Sequence, residues 1–495
     1  MKYLNIPKHR RNFLKKIGLG MASISLSSIP IRWVFGTTGR PVNPKTTNSG
    51  IYFTNGFKTA EVTSLSALLW TRLCAQEKPN PVVHLRRETV FRHPLEFDED
   101  MPIEQMDGAV KGKEGWVKAS LVHEGVQLSS DWVRATQEND FTIQIPFDNL
   151  QPGTKYTIKW EAKTKENGPV TLMEGSFATS PTESEDKELL FVTSTCQYFW
   201  SFDNDERGFE TYDSMKKLHP DFFIHTGDYI YYDKPGPLAK NLEKAKHKWH
   251  AMNGWPSLID FFRNTPIYML KDDHDLLDDD AYPGSGKYGD LTFEDGLRLW
   301  ELNAPTRNLP YRTFRWGKHL QVWLVEGREY RSPNPMADGP QKSIWGPIQK
   351  KWFEDTVQAS DASFKILFSP TPVVGPDRDK KTDNHANKAF ETEGNWLRKF
   401  LSEKKNMFTV NGDRHWQYVS VDKETGLVEF GSGPVSDAHS QGWSQDDYRE
   451  EHRFLRLKGG FLSIKIMKNN QIPEIIFTHH DVKGEPVNEM NFSSL

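Results

Sequence analysis

Four short apolar runs, each emptying into ionisable residues, constrain this chain more than any other feature. Leu189-Leu190-Phe191-Val192-Thr193 leads into Ser194-Thr195-Cys196-Gln197, and Phe222-Phe223-Ile224-His225 leads into Thr226-Gly227-Asp228-Tyr229-Ile230-Tyr231. Residues 267–270 lead into Lys271-Asp272-Asp273-His274-Asp275, and 407–410 into Asn411-Gly412-Asp413-Arg414-His415-Trp416. Runs this continuous read as strands buried on both faces. Helical patterns at 208–218, 256–263, 347–357 and 394–401 fall among them, and 320–325 and 364–368 are further strand runs. The runs 428–430, 461–466 and 474–478 follow without helices between them. The expected fold over 188–485 is a layered α/β domain, with central β-sheets flanked by helices. Sites in such domains form outside the carboxyl ends of strands, where the ionisable residues lie.

Residues 51–182 have a different rhythm. Phe141-Thr142-Ile143-Gln144-Ile145 alternates with period two, and so does 155–162 after the turn pair Pro152-Gly153. Short strands between turn signals predict an all-β sandwich domain, separated from the second domain by the polar stretch 181–187. Residues 37–50 read as a linker. Residues 1–36 carry Arg10-Arg11 ahead of Phe13-Leu14-Lys15 and a mild apolar stretch, which resembles a twin-arginine export signal. The partner this implies is the twin-arginine translocation machinery, and the location is periplasmic, extracellular or cell-surface in a bacterium. An uncleaved segment would act as an anchor; elsewhere no apolar run reaches the roughly 20 residues that span a bilayer.

Lys plus Arg number 63 and Asp plus Glu 67, a net charge of −4. Residues 1–36 hold seven Lys/Arg and no acid, so their removal takes the charge to −11. Such a balance argues against specific nucleic-acid binding. Two cysteines, Cys74 and Cys196, exclude a disulfide-built scaffold.

If the four strand ends converge, they bring together one thiol, one phenol, two imidazoles and several carboxylates. Packed carboxylates repel one another and hold either shared protons or cations. A thiolate and a phenolate favour a strongly Lewis-acidic, ferric-like ion, and a carboxylate-only neighbour favours Ca, Mg or Mn. A carboxylate bridging two such ions suits hydrolysis of a phosphoester. Each residue also has a plainer reading: Cys196 as a small buried hydrophobe, Asp228 as a turn cap, Tyr231 as core, and Asp273 as part of a solvated acidic face.

The four segments, in this order, resemble those of the PhoD-like alkaline phosphatases and phosphodiesterases, a branch of the calcineurin-like metallophosphoesterases. Further similarity lies in Leu69-Trp70-Thr71-Arg72-Leu73, in 311–317, in Arg328-Glu329-Tyr330-Arg331-Ser332 and in His479-His480-Asp481-Val482-Lys483-Gly484, covering roughly residues 51–485. The resemblance implies an iron-type site of Cys196, Asp228, Tyr231 and His415, with Asp228 as the bridge. It implies a calcium-like site of Asp228, Asp273 and Asp413, with Mn, Mg or Zn as substitutes. His274 takes the place of the phosphate-contacting imidazole that protonates the leaving group. The implied reaction is attack of a metal-bound hydroxide on a monoester or diester.

Asp272 and Asp275 are candidates for an additional cation, or else bind loop amides. Arg328 is read as a clamp on phosphate oxygens or as a structural ion pair. Here the sequence departs from the family pattern, with Glu326-Gly327-Arg328 where Asp-Thr-Arg is usual, and with a polar 377–388 segment. Asp383, Asn384 and His385 in that segment are candidates for an extra ligand or for substrate contact, and Arg414, His439 and Trp416 for the cleft wall. The substrate class is a small-molecule, lipid or saccharide phosphoester. Three alternatives compete: a phosphonate or sulfate-ester hydrolase, a non-catalytic metal-stabilised binding protein, and a thiol enzyme pairing Cys196 with His415.

Overall fold

Alternate residues of the apolar runs face opposite layers. In the strand Leu189–Ser194, Leu189 and Phe191 enter one core and Val192 another. In Leu320–Leu324, Leu320, Val322 and Leu324 enter the shared core while Trp323 faces a third. A strand apolar on both faces needs cover on both, and the chain supplies it with two sheets packed on each other and helices outside.

The computed structural model describes residues 32–35, 49–307 and 309–494. One sheet has nine strands, in which Leu189–Ser194, Phe222–His225 and Ile267–Met269 run parallel. The other has seven, in which Leu320–Leu324, Phe364–Ser369, Met407–Asn411 and Val428–Ser432 run parallel. Aromatic pairs join them: Phe222 lies 4.5 Å from Trp316, Tyr268 4.4 Å from Phe314, and Phe430 is stacked on Phe477 at 4.0 Å. Helices Glu210–Lys217, Leu242–Met252, Pro256–Phe262 and Phe293–Asn303 contribute to the core outside the first sheet. Gly346–Ala359 and Glu391–Ser402 do so outside the second. The fold is the expected layered α/β architecture.

Three details differ from the sequence reading. Helix Leu242–Met252 carries Lys, His and Glu among its apolar residues and Phe293–Asn303 carries Glu, Asp and Arg, which obscured their apolar stripes. The domain also runs past 485, because Pro486–Ser493 pairs with Ile472–His480 as an edge strand; its exposed alternate residues gave little apolar signal. Finally, the 181–187 boundary divides the chain but not the sheet. Within the expected sandwich, Phe57–Ala60, Ala67–Arg72 and Thr142–Phe147 join the nine-stranded sheet through Ala60 beside Ile267. The remaining five strands of 51–182 belong to a separate six-stranded sheet, and its inward residues Val117, Leu121, Ile158 and Trp160 share the main core. Residues Arg32–Phe35 add an edge strand to that sheet against Val126–Ser129. The twin-arginine motif and residues 36–48 of the linker region lie outside the described residues. Among the described residues no helix is long and apolar enough to cross a membrane.

Candidate metal centre

The parallel strands of both sheets end at the same edge, so four loops meet there. Thr195 forms a bridge with Pro434 across the two sheets. Gly412 permits the closest approach: a Cβ there would stand 2.3 Å from the Thr226 carbonyl oxygen and 2.7 Å from that of Pro370. Any side chain at 412 would push the Asp413 and His415 loop away from the Asp228 loop.

Asp228 sits at the centre with φ +56, a left-handed conformation that Asp tolerates better than most residues. Its Oδ2 accepts from the Cys196 thiol at 3.3 Å and from the Tyr231 hydroxyl at 3.0 Å. The Tyr231 hydroxyl also lies 3.2 Å from His415 Nε2. Cys196, Asp228 and His415 each place a ligand atom within 4.8 Å of the others, and so do Asp228, Asp272 and Asp413. A third such group is Asp228, Asp273 and His274. The predicted iron-type residues are therefore together. The carboxylate group differs from the prediction, because Asp272, not Asp273, stands with Asp228 and Asp413. Asp272 closes the strand end, whereas Asp273 opens a short 3-10 turn and faces His274.

Asp228 Oδ1, Asp272 Oδ2 and Asp273 Oδ1 are buried and lack a hydrogen-bond partner. Burial, opposed by His274 and reinforced by Asp273, Asp275 and Asp413, pushes the Asp228 carboxyl well above its ordinary range. Asp272 is pushed up the same way, by burial against the pull of Arg328. Orphaned carboxylate oxygens crowded in a dry site are the donor set that cations stabilise. Hence the residues present fit metal ions. Burial and the nearby Asp228 also push the Cys196 thiol well up, the opposite of what a thiol nucleophile requires.

Asp275 is not free to bind an ion. Its Oδ2 accepts the backbone N–H of Asp228 at 2.8 Å and of Asp272 at 3.0 Å, and its Oδ1 those of Tyr229 at 2.8 Å and Ile230 at 3.2 Å. Four amides occupy both oxygens, so Asp275 positions two of the loops that carry ligands. The Asp275→Ala variant is expected to hold its metals roughly 10- to 100-fold more weakly, measured by chelator competition.

Of its two readings, clamp or structural ion pair, Arg328 takes the geometry of the ion pair. It is 0% exposed and bonds Asp272 through Nε, with Asp273 at 3.4 Å and Asp383 at 3.3 Å from Nη2. Asp383 serves this network and Asn384, whose Nδ2 lies 3.1 Å from Asp383 Oδ1 and 2.7 Å from Asp377 Oδ2. Arg414 spans Asp413 at 2.6 Å and Asp377. Asp383, Asn384 and Arg414 thus stand behind the carboxylates and brace them. His385 packs edge-on against Trp345 at 5.5 Å, in the helix-covered core away from the cluster. His439 is buried 4.4 Å from the His415 ring and 5.0 Å from Tyr231, a packing neighbour of the ligand side chains.

The cleft over the centre is lined by Tyr231, His274, Asp413, His415 and Trp416, as expected, and by residues the sequence did not single out. Phe91 enters from a hairpin of the N-terminal region, tied by its N–H to the Ala438 carbonyl at 2.6 Å. Lys234, Arg378 and Lys381 supply positive charge. Asp233 lies 2.8 Å from His274 Nδ1 and, with Asp273 and Asp228, raises the imidazole well above its ordinary range despite burial. Its position five residues after Asp228, on the same loop, was the signal available.

The model of the PhoD-like phosphatase family matches residues 191–458. The chain belongs to the PhoD-like phosphatase family. It is therefore a phosphoric ester hydrolase, and its chemistry is metal-dependent phosphoester hydrolysis. The solved structure of PhoD is similar over 91% of this chain and 92% of its own, with 16% identity and a TM-score of 0.69. A purple acid phosphatase from yellow lupin (Lupinus luteus) seeds is similar over 88% of this chain and 74% of its own, with 12% identity and a TM-score of 0.58. At these identities the likeness is one of fold. A search of curated proteins found no match.

Proposed function

We propose that this enzyme hydrolyses phosphate monoesters or diesters at a centre of two or more metals built on Asp228. An iron ion would be held by Cys196, Asp228 and His415 with Tyr231, and a calcium ion by Asp228, Asp272 and Asp413. Asp273 shares a third group with Asp228 and His274. The observation that carries this reading is the pair of orphaned oxygens on Asp228 and Asp272 beside the buried Cys196 thiol and the part-buried His415 imidazole. Ions bound there would supply Lewis acidity and make a bound water more acidic.

The chain's own residues do the rest. The Tyr231 hydroxyl and the Cys196 thiol donate to one Asp228 oxygen, which keeps these ligand side chains in register, and both would give up those protons on binding an ion. Phe91 and Trp416 narrow the cleft and exclude water. His274, held by Asp233, faces the cleft with its proton retained by the surrounding carboxylates, and donates it to the departing oxygen. The His274→Gln variant is expected to lose roughly 10²- to 10⁴-fold in kcat while keeping its metals. A cleft with both Lys234 and Arg378 at its walls suits small-molecule, lipid or saccharide phosphoesters. Export by the twin-arginine route to a bacterial periplasm or surface is supported by Arg10-Arg11 and the acidic remainder.

The direct test takes protein purified without added metal, determines its metals by elemental analysis, and assays it on paired mono- and diester chromogenic substrates. Iron with calcium and turnover of either ester is the expected result. Neither metal nor turnover after reconstitution with Fe, Ca, Mn and Zn would overturn it.

A further inference from the structure

With Arg328 sealed behind three carboxylates, the substrate's phosphoryl oxygens need another cationic partner. Three cations line the cleft: Lys234, Arg378 and Lys381. Two are engaged. Lys381 Nζ lies 2.6 Å from Asp280 Oδ1 and 3.5 Å from Asp279 Oδ1, and Lys234 Nζ lies 3.4 Å from Asp233 Oδ2.

Arg378 differs. Its backbone N–H donates to Asp377 Oδ1 at 2.6 Å, but among the described residues no oxygen accepts a hydrogen bond from its guanidinium. Asp377 Oδ1 approaches Nε only to 3.7 Å, and Asp377 Oδ2 already accepts from Asn384 and Arg414. The side chain is packed in place even so. It lies across Gly442, where a Cβ would stand 3.2 Å from Arg378 Nη1 and 3.4 Å from Trp416 Cζ3. Gly442 has φ +95, so both the backbone and the space favour glycine there. A guanidinium with its donors unused, half-exposed to an anion-processing cleft and fixed beside Trp416, is organised for a ligand oxyanion.

We propose that Arg378 is the substrate clamp of this enzyme, donating hydrogen bonds to the anionic oxygens of the phosphoryl group undergoing hydrolysis. The inference rests on the metal-centre reading above, since it places the phosphoryl group in this cleft. It also gives the unusual 377–388 segment a role: Asp377, braced by Arg414 and Asn384, anchors the backbone from which Arg378 reaches the cleft.

The test compares wild type with Arg378→Ala, Arg378→Gln and Arg378→Lys in the metal-loaded full chain. Steady-state kinetics on the preferred ester gives KM and kcat, and calorimetry gives the Kd of inorganic phosphate. The Ala and Gln variants are expected to raise KM and the phosphate Kd roughly 10- to 100-fold, with metal content and Tm unchanged, and Lys to recover part of both. Wild-type KM and phosphate Kd in both Ala and Gln variants would overturn the proposal, as would losses that merely follow a lowered Tm. A wild-type protein without turnover would count against the catalytic reading instead, while phosphate calorimetry would still report on Arg378.

Discussion

Asp228→Ala is expected to cut turnover by on the order of 10³-fold or more and to release bound metal, because one carboxylate is shared by both proposed ion sites. Cys196 with His415 and Asp272 with Asp413 each close around Asp228 and around no other common residue. Losing it therefore removes a donor from each group at once and leaves the Tyr231 hydroxyl and the Cys196 thiol without their acceptor. Alanine is also a poorer occupant of φ +56, so Asp228→Asn is the better control for folding. Asparagine keeps the shape and removes the charge, and it should show the same loss of metal at nearly unchanged Tm. Elemental analysis alongside turnover checks this. Full metal content in both variants would sink the bridging role.

Arg328→Ala should lower stability by about 3–5 kcal/mol, the cost of leaving buried charges without their partner. Asp272, Asp273 and Asp383 would face one another with no guanidinium between them. Urea unfolding of the metal-loaded protein measures the loss. The opposite result, intact stability with a raised KM, would return Arg328 to the role of clamp. In the wild type, Lys381, Arg328, Arg331 and Arg414 outweigh burial and hold Asp383 well below the usual carboxylate range. Its contribution to stability is therefore complete above the unfolded carboxylate pKa of about 3.9 and is lost as the pH falls below it.

The strands of the catalytic layers were legible because their apolar runs are short, continuous and followed at once by polar residues. Leu189–Ser194 and Met407–Asn411 are such cases, and each ends at the residues that build the site. Pro486–Ser493 was not legible, because an edge strand with polar alternate residues has no such contrast. The divided chain misled in the N-terminal region. Phe57–Ala60 reads locally as part of a β-domain, and nothing in its own residues says that it will lie beside Ile267.

Among site residues, adjacent carboxylates were the hardest to separate. Asp272, Asp273 and Asp275 share composition and neighbourhood, yet one turn of backbone sends them to three tasks: Asp272 to Arg328 and the ligand cluster, Asp273 towards His274, and Asp275 to four amides.

The sequence by itself determined which donor types the chain offers, that they sit at strand ends, and hence that a metal-assisted hydrolytic site forms at one edge of a layered domain. It did so because residue identity and period-two patterning are local properties. Only the tertiary structure decided which charges face the cleft and which are consumed behind it. Arg328 and Arg378 are the same residue type in equally polar surroundings, but three carboxylates converge on the first and none hydrogen-bonds the guanidinium of the second among the described residues. That difference arises from contacts between segments some 50 residues apart, such as Asp272 with Arg328 and Arg328 with Asp383, and packing alone sets them.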